Sequence, residues 1–277
     1  DVYKRQCQNY RKCQLNLSII SDNIETYKRK VNNIGTHYML VKIIISIVFG
    51  ILGLAIGFPV FKLAKHQISV RDKQFPMLRE DYPVDLLESK KSFAVFEICF
   101  FVTYFFSYFV LGENVVSLIF SLVLSTCCID LSAVDLAIRR IPNQMLLIIL
   151  IAGLANDIIN PLIYGGSIKQ NLVMSLIGIA VSFLIFYIPK LVGLYMGNGD
   201  VKLSAVFGFA LGFVGYIQAM VVMAVISVLL LIVLIITKKG NGKTKTPMGP
   251  ALSIGAVLTV LLPLLSNVIG DAPFSVL

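Results

Sequence analysis

The sequence has no tryptophan, two histidines and few charges, and each scarcity removes a class of function. His37 and His66 stand alone, so no histidine-based metal site is expected. The five cysteines, Cys7, Cys13, Cys99, Cys127 and Cys128, form no Cys-x-x-Cys pair. They support neither a zinc site nor a secreted disulfide framework. The last three lie within apolar runs, where small buried apolar residues are the simpler reading. Only 14% of the chain is charged while 57% is hydrophobic, against about 45–50% apolar in an ordinary soluble domain. A net charge of +9 suggests nucleic acid at first sight, but the basic residues cluster in short loops beside apolar runs. No basic face interleaved with aromatics is present, so no nucleic-acid partner is expected.

What the chain has instead is length of hydrophobic run. Eight apolar segments can be drawn, at about 39–62, 93–111, 115–134, 143–160, 170–192, 201–217, 219–237 and 250–269, against the roughly 20 helical residues that a bilayer crossing takes. The fold class is therefore all-α, a polytopic integral membrane protein with about eight transmembrane helices. The sixth segment contains Gly208 and Gly212 and is expected to tilt or to pack closely on a neighbour. The short connection Gly112-Glu113-Asn114 predicts antiparallel neighbours.

Three regions follow. Residues 1–38 read as a non-native or read-through tail: Asp1-Val2-Tyr3-Lys4-Arg5-Gln6 looks adapter-derived, and residues 7–38 are polar and weakly periodic, the competing reading being a genuine soluble tail. Met39, directly before an apolar run, reads as the true start. Residues 39–112 hold two helices and a short polar loop, Lys65–Lys91, too small for an independent core. Residues 113–277 form the main membrane domain. From Lys62 onward, fifteen Lys/Arg fall on one side of the bilayer, whereas the other side holds only Lys42 and Lys169. That asymmetry predicts that the basic side, with the loops 62–92 and 238–245, faces the cytoplasm. The second loop is read as a flexible connection whose lysines can meet anionic head groups.

Two aspartates stand at the cytoplasmic mouths of these runs. Asp200 lies in Gly197-Asn198-Gly199-Asp200-Val201-Lys202, where the glycines let the backbone come close to a substrate. The helix restarting at Val201 places Asp200 near a positive helix terminus, and Lys202 adds positive potential. Alone, this could be an ordinary N-cap turn. Asp135 precedes Arg139-Arg140-Ile141-Pro142-Asn143, with Pro142 marking the next helix start. Alone, it could be an interfacial carboxylate paired with an arginine. Together, two such carboxylates can share a proton and activate a water. Asp130, five residues before Asp135, is turned by about 140° on a helix and is expected to face elsewhere, as a structural or water-facing group; it is the runner-up for the first catalytic position. Glu97 is expected to snorkel toward the cytoplasm, and Asp157 lies near the external end of its helix.

The paired segments resemble the type IV prepilin peptidase family, a group of GxGD-type membrane aspartyl proteases. The family places one aspartate seven residues before the proline of an Ile/Leu-Pro-Asn/Asp element and the second in Gly-x-Gly-Asp-x-Lys. Asp135 through Asn143 and Gly197 through Lys202 match in order and spacing, and Thr246-Pro247-Met248-Gly249-Pro250-Ala251-Leu252 resembles the family's Pro-Phe-Gly-Pro segment. The resemblance covers roughly 115–269. It implies Asp135 and Asp200 as catalytic residues, with Pro142, Asn143, Gly197, Gly199 and Lys202 supporting them. It implies no cofactor and no metal.

The implied activity is removal of a short basic leader from type IV prepilin-like or pseudopilin precursors, after a glycine that precedes the substrate's hydrophobic helix. The implied setting is the bacterial inner (plasma) membrane, multi-pass, with the site facing the cytoplasm. Bifunctional members carry a larger cytoplasmic domain, often with Cys-x-x-Cys motifs, and N-methylate the new terminus. Lys65–Lys91 has no cysteine and is short, so methyl transfer is not expected. The rival class is an ion-coupled transporter or channel using intramembrane aspartates and a broken helix at Gly197–Gly199. It has no need of Ile-Pro-Asn at a fixed distance. A presenilin-type protease would carry Tyr-Asp in its first catalytic helix, which is absent.

Overall fold

The structure, a computed structural model, describes residues 2–74, 84–191, 197–236 and 248–264. Side chains are described from Thr36 onward, with Gln74, Val84, Asp85, Lys190 and Leu234 given by backbone alone. All described elements are helical. They are α1 (Val2–Gln74), a 3₁₀ turn (Val84–Glu88), α2 (Lys90–Leu111), α3 (Val115–Ile138), α4 (Asn143–Tyr164), α5 (Ile168–Leu191), α6 (Asn198–Ile236) and α7 (Met248–Leu261). Six of these are long and apolar enough to cross a membrane, and α7 is a shorter apolar helix.

The chain divides into two units, residues 1–47 and 48–277. The first contains the start of α1, where Ser46 Oγ donates back to Lys42 O at 2.8 Å and so satisfies its hydroxyl within the helix. The second unit holds the remaining helices. There α1 continues to Gln74, past the expected loop boundary at Lys65, and His66 accordingly lies on a helix. The reason is an apolar face within the polar stretch: Phe61, Ala64 and Ile68 recur at helical spacing and pack with Phe96 and Phe100 of α2 and Val134, Ala137 and Ile138 of α3. The loop 238–245 and residues 246–247 lie outside the described residues.

Local chemistry sets the helix ends. Ser89 Oγ accepts from Lys91 N at the start of α2, and Asn114 Oδ1 accepts from Ser117 N at the start of α3. The tight turn between them pairs α2 with α3, joined by the Ser107 and Ser121 hydroxyls 2.9 Å apart. The end of α3 is a left-handed residue, Arg139 (φ 47°, ψ 42°), whose N–H bonds Asp135 O. Pro142 then caps the entry to α4.

Helix α3 is the core element. Half of its span is buried, against at most 28% in the other candidate spans. Its residues enter both packed clusters, one with α1 and α2, the other with α4, α6 and α7. In lipid the outward faces gain nothing by association, so helices meet where small residues permit close contact. Gly208 of α6 lies against Gly178 of α5, where a Cβ on either would collide with the other's carbonyl oxygen. The expected close packing at Gly208 is thus present.

Helix α6 is two arms, 198–211 and 213–236, broken at Gly212 (φ 66°, ψ 175°). Residues twelve apart stand about 18 Å along a straight helix, yet the Ser204 and Tyr216 hydroxyls are 2.6 Å apart. The chain therefore bends sharply at the one residue type that adopts this φ freely. The expected boundary between two spans at about residue 218 is displaced to Gly212. Gln218 is buried and its Nε2 donates to Leu262 O at 2.5 Å, tying α6 to the end of α7.

Candidate active site

Asp135 occupies the last turn of α3 and is 6% exposed. Its carboxylate accepts the backbone N–H of Gly249 and lies within electrostatic reach of Asp200 and of Arg139. Gly249 is the second residue of α7, and the first N–H groups of a helix have no partner within it. Asp135 supplies that partner from another helix, at the positive end of the α7 dipole. The contact leaves no room for a side chain, since a Cβ on Gly249 would stand 2.5 Å from Asp135 Oδ2.

Asp200 lies in the first turn of α6, half-buried. Its helix begins with Val201 N donating to Gly197 O at 3.3 Å. A Cβ on Gly197 would come within 2.8 Å of Asp200 Oδ2, so this glycine leaves the carboxylate its space. The position of a Cβ on Gly199 is 3.4 Å from Ile141 Cδ1, which seats the Gly197–Asp200 turn on the Arg139–Pro142 connection. Two sequence elements some sixty residues apart are thus joined by packing between Gly199 and Ile141, with one aspartate at each.

Of the supporting residues, Pro142 is buried at the α4 entry, whereas Asn143 and Lys202 are exposed. The cation acting at Asp135 is Arg139, one helical turn on in sequence. An arginine partner for Asp135 was weighed from the sequence without choosing between Arg139 and Arg140, whereas the donor role of Gly249 was not assigned. The first was readable as an i, i+4 pair; the second depends on tertiary contact.

The other acids stand apart from this pair. Asp130 is fully buried and its Oδ2 accepts from Gln67 Nε2 of α1 at 3.4 Å, so it is not water-facing. Glu97 does not snorkel: its carboxylate lies over the bare backbone of Gly57, and its buried Oε1 finds no partner among the described residues. Asp157 accepts from the Ser175 hydroxyl at 2.5 Å between α4 and α5. Among the described residues no three of His, Cys, Asp and Glu converge.

Chemically, two carboxylates with one helix N–H and one guanidinium beside them can hold a water and pass protons in both directions. Residues 122–236, which include both aspartates, match the model of the type IV leader peptidase family. The match supports the resemblance to prepilin peptidases drawn from the motifs. No curated protein and no solved structure matches the chain.

Proposed function

We propose that this chain, with its type IV leader peptidase-like segment at residues 122–236, is a membrane aspartic endopeptidase. It removes the leader of type IV prepilin-like or pseudopilin precursors at the cytoplasmic membrane face of the inner membrane. The observation that supports this most is that Asp135, at the end of α3 under the first turn of α7, lies within electrostatic reach of Asp200 at the start of α6.

In this reading Asp135 and Asp200 hold one water and share one proton. The ionised carboxylate takes a proton from the water as its oxygen attacks the scissile carbonyl carbon. The protonated carboxyl gives its proton to the carbonyl oxygen. On collapse one hydroxyl of the tetrahedral diol returns its proton to the ionised carboxylate as the C–N bond breaks, and the leaving amine takes the proton of the other carboxyl, which restores the singly protonated pair. The pair titrates as a unit. Gly249 N–H and Arg139 hold Asp135 in place through these steps. A substrate whose apolar helix lies in the bilayer would present its leader junction at this depth, so the membrane itself supplies part of the orientation.

The test is cleavage by the purified chain in liposomes. The substrate is a synthetic precursor with a short basic leader, a glycine junction and an apolar helix. Mass spectrometry should find a single new N-terminus directly after that glycine. An intact precursor after long incubation, with the wild-type chain folded, would refute the reading. Proton or cation flux through the same liposomes would favour the transporter.

A further inference from the structure

We propose that the part of α1 beyond residue 64, outside the family-matched segment, is a brace that positions Asp135, with Gln67 and Arg71 as its positioning residues. The proposal rests on Asp135 being one of the catalytic pair. Helix ends fray, and Asp135 stands on the last turn of α3. The chain beyond it turns through Arg139 in the left-handed region, a conformation that is strained for a non-glycine residue. Such a residue persists where its surroundings hold it.

The surroundings here come from α1. Five residues before Asp135, Gln67 Nε2 donates to Asp130 Oδ2 at 3.4 Å. Five residues after it, Arg71 Nη1 donates to Arg140 O at 3.2 Å. Gln67 and Arg71 are one helical turn apart and so share a face. Ile68, between them, packs in one cluster with Ala133, Val134, Ala137 and Ile138 of α3. Helix α1 thus grips the end of α3 on both sides of Asp135 in sequence. The grip is incomplete at one point: Asp130 Oδ1 and Gln67 Oε1 are both buried, and neither finds a donor among the described residues. An amide at position 130 would supply that donor, whereas an apolar residue at 67 alone would leave the Asp130 carboxylate with nothing.

The experiment uses the full chain in liposomes with the precursor above, together with hydrogen exchange of the peptide covering residues 136–146. Arg71→Ala is expected to lower kcat about tenfold with KM unchanged, because binding is intact and geometry is not. Arg71→Lys, which still presents a donor to the Arg140 carbonyl, should recover part of the loss. Asp130→Asn should keep wild-type kcat. Gln67→Leu should lose activity, and Gln67→Leu/Asp130→Leu should regain it. In Arg71→Ala the 136–146 amides should exchange faster while those of α5 do not change. Should that variant fail to fold, Arg71→Gln, which keeps an amide donor, should fold and show a smaller fall in kcat with the same pattern of exchange. Wild-type exchange in both Arg71 variants overturns the brace, and so does faster exchange with kcat intact. A wild-type chain that never cleaves would instead refute the protease reading, and the exchange measurement would still decide whether α1 holds the turn.

Discussion

Replacing Gly249 by alanine should separate activity from stability. The new Cβ would stand 2.5 Å from Asp135 Oδ2 and 3.0 Å from its Cγ. An ordinary C···O contact is about 3.3 Å, so the carboxylate or the start of α7 must shift by roughly 0.8 Å. A displacement near 1 Å at a reacting group costs on the order of 10²-fold in rate. The N–H bond from residue 249 to Asp135 would lengthen in the same movement. Meanwhile alanine improves helix propensity over glycine by about 1 kcal/mol, which offsets part of the strain. Gly249→Ala should therefore cleave the precursor about a hundredfold more slowly, with a melting temperature close to wild type. The chain has no tryptophan, so unfolding is best followed by far-UV circular dichroism. Wild-type kcat in Gly249→Ala would refute the reasoning, since it would mean that the Asp135 carboxylate is not confined against the α7 turn. A fully unfolded variant would refute it too.

Three further outcomes are expected. Single cysteines placed between the end of α1 and the start of α2, and in the segment 238–245, should be shielded from an impermeant thiol reagent in intact cells; labelling from outside would reverse the orientation. The mature product should carry no added methyl group by mass spectrometry, because the segment after the first helix is short and lacks cysteine; a methylated product that depends on this chain alone would contradict that. Tyr216→Phe removes the hydroxyl paired with Ser204 across the bend in α6 and should lower stability by about 1 kcal/mol, read as a drop in melting temperature.

The two aspartates were legible because their neighbours are punctuation: Pro142, Gly197 and Gly199 mark helix starts whatever the tertiary fold. The sharp bend in α6 was not. Gly212 resembles any small packing residue in an apolar run, and Gln218 resembles a break, though the first takes φ 66° and the second is buried on Leu262 O. The extension of α1 was hidden by its charges, and yet Phe61, Ala64 and Ile68 already had helical spacing. Glu97 could not be placed from sequence, because its position depends on Gly57 offering bare backbone on a different helix. Short-range chemistry can be read along the chain, whereas contacts made across the bundle cannot.

The decisive measurement is precursor cleavage in liposomes by Asp135→Asn, Asp200→Asn, the double variant and Asp130→Asn at matched expression. Asparagine keeps shape and polarity but cannot exchange the proton. Each of the first two should lose about 10²–10⁴-fold in kcat. The double variant should be hardly worse than either, because the pair acts as a unit. Asp130→Asn, on the other flank of α3, should cleave at close to the wild-type rate. Full activity in Asp200→Asn, or an inactive Asp130→Asn beside an active Asp135→Asn, would contradict the assignment of Asp135 and Asp200 as the catalytic pair.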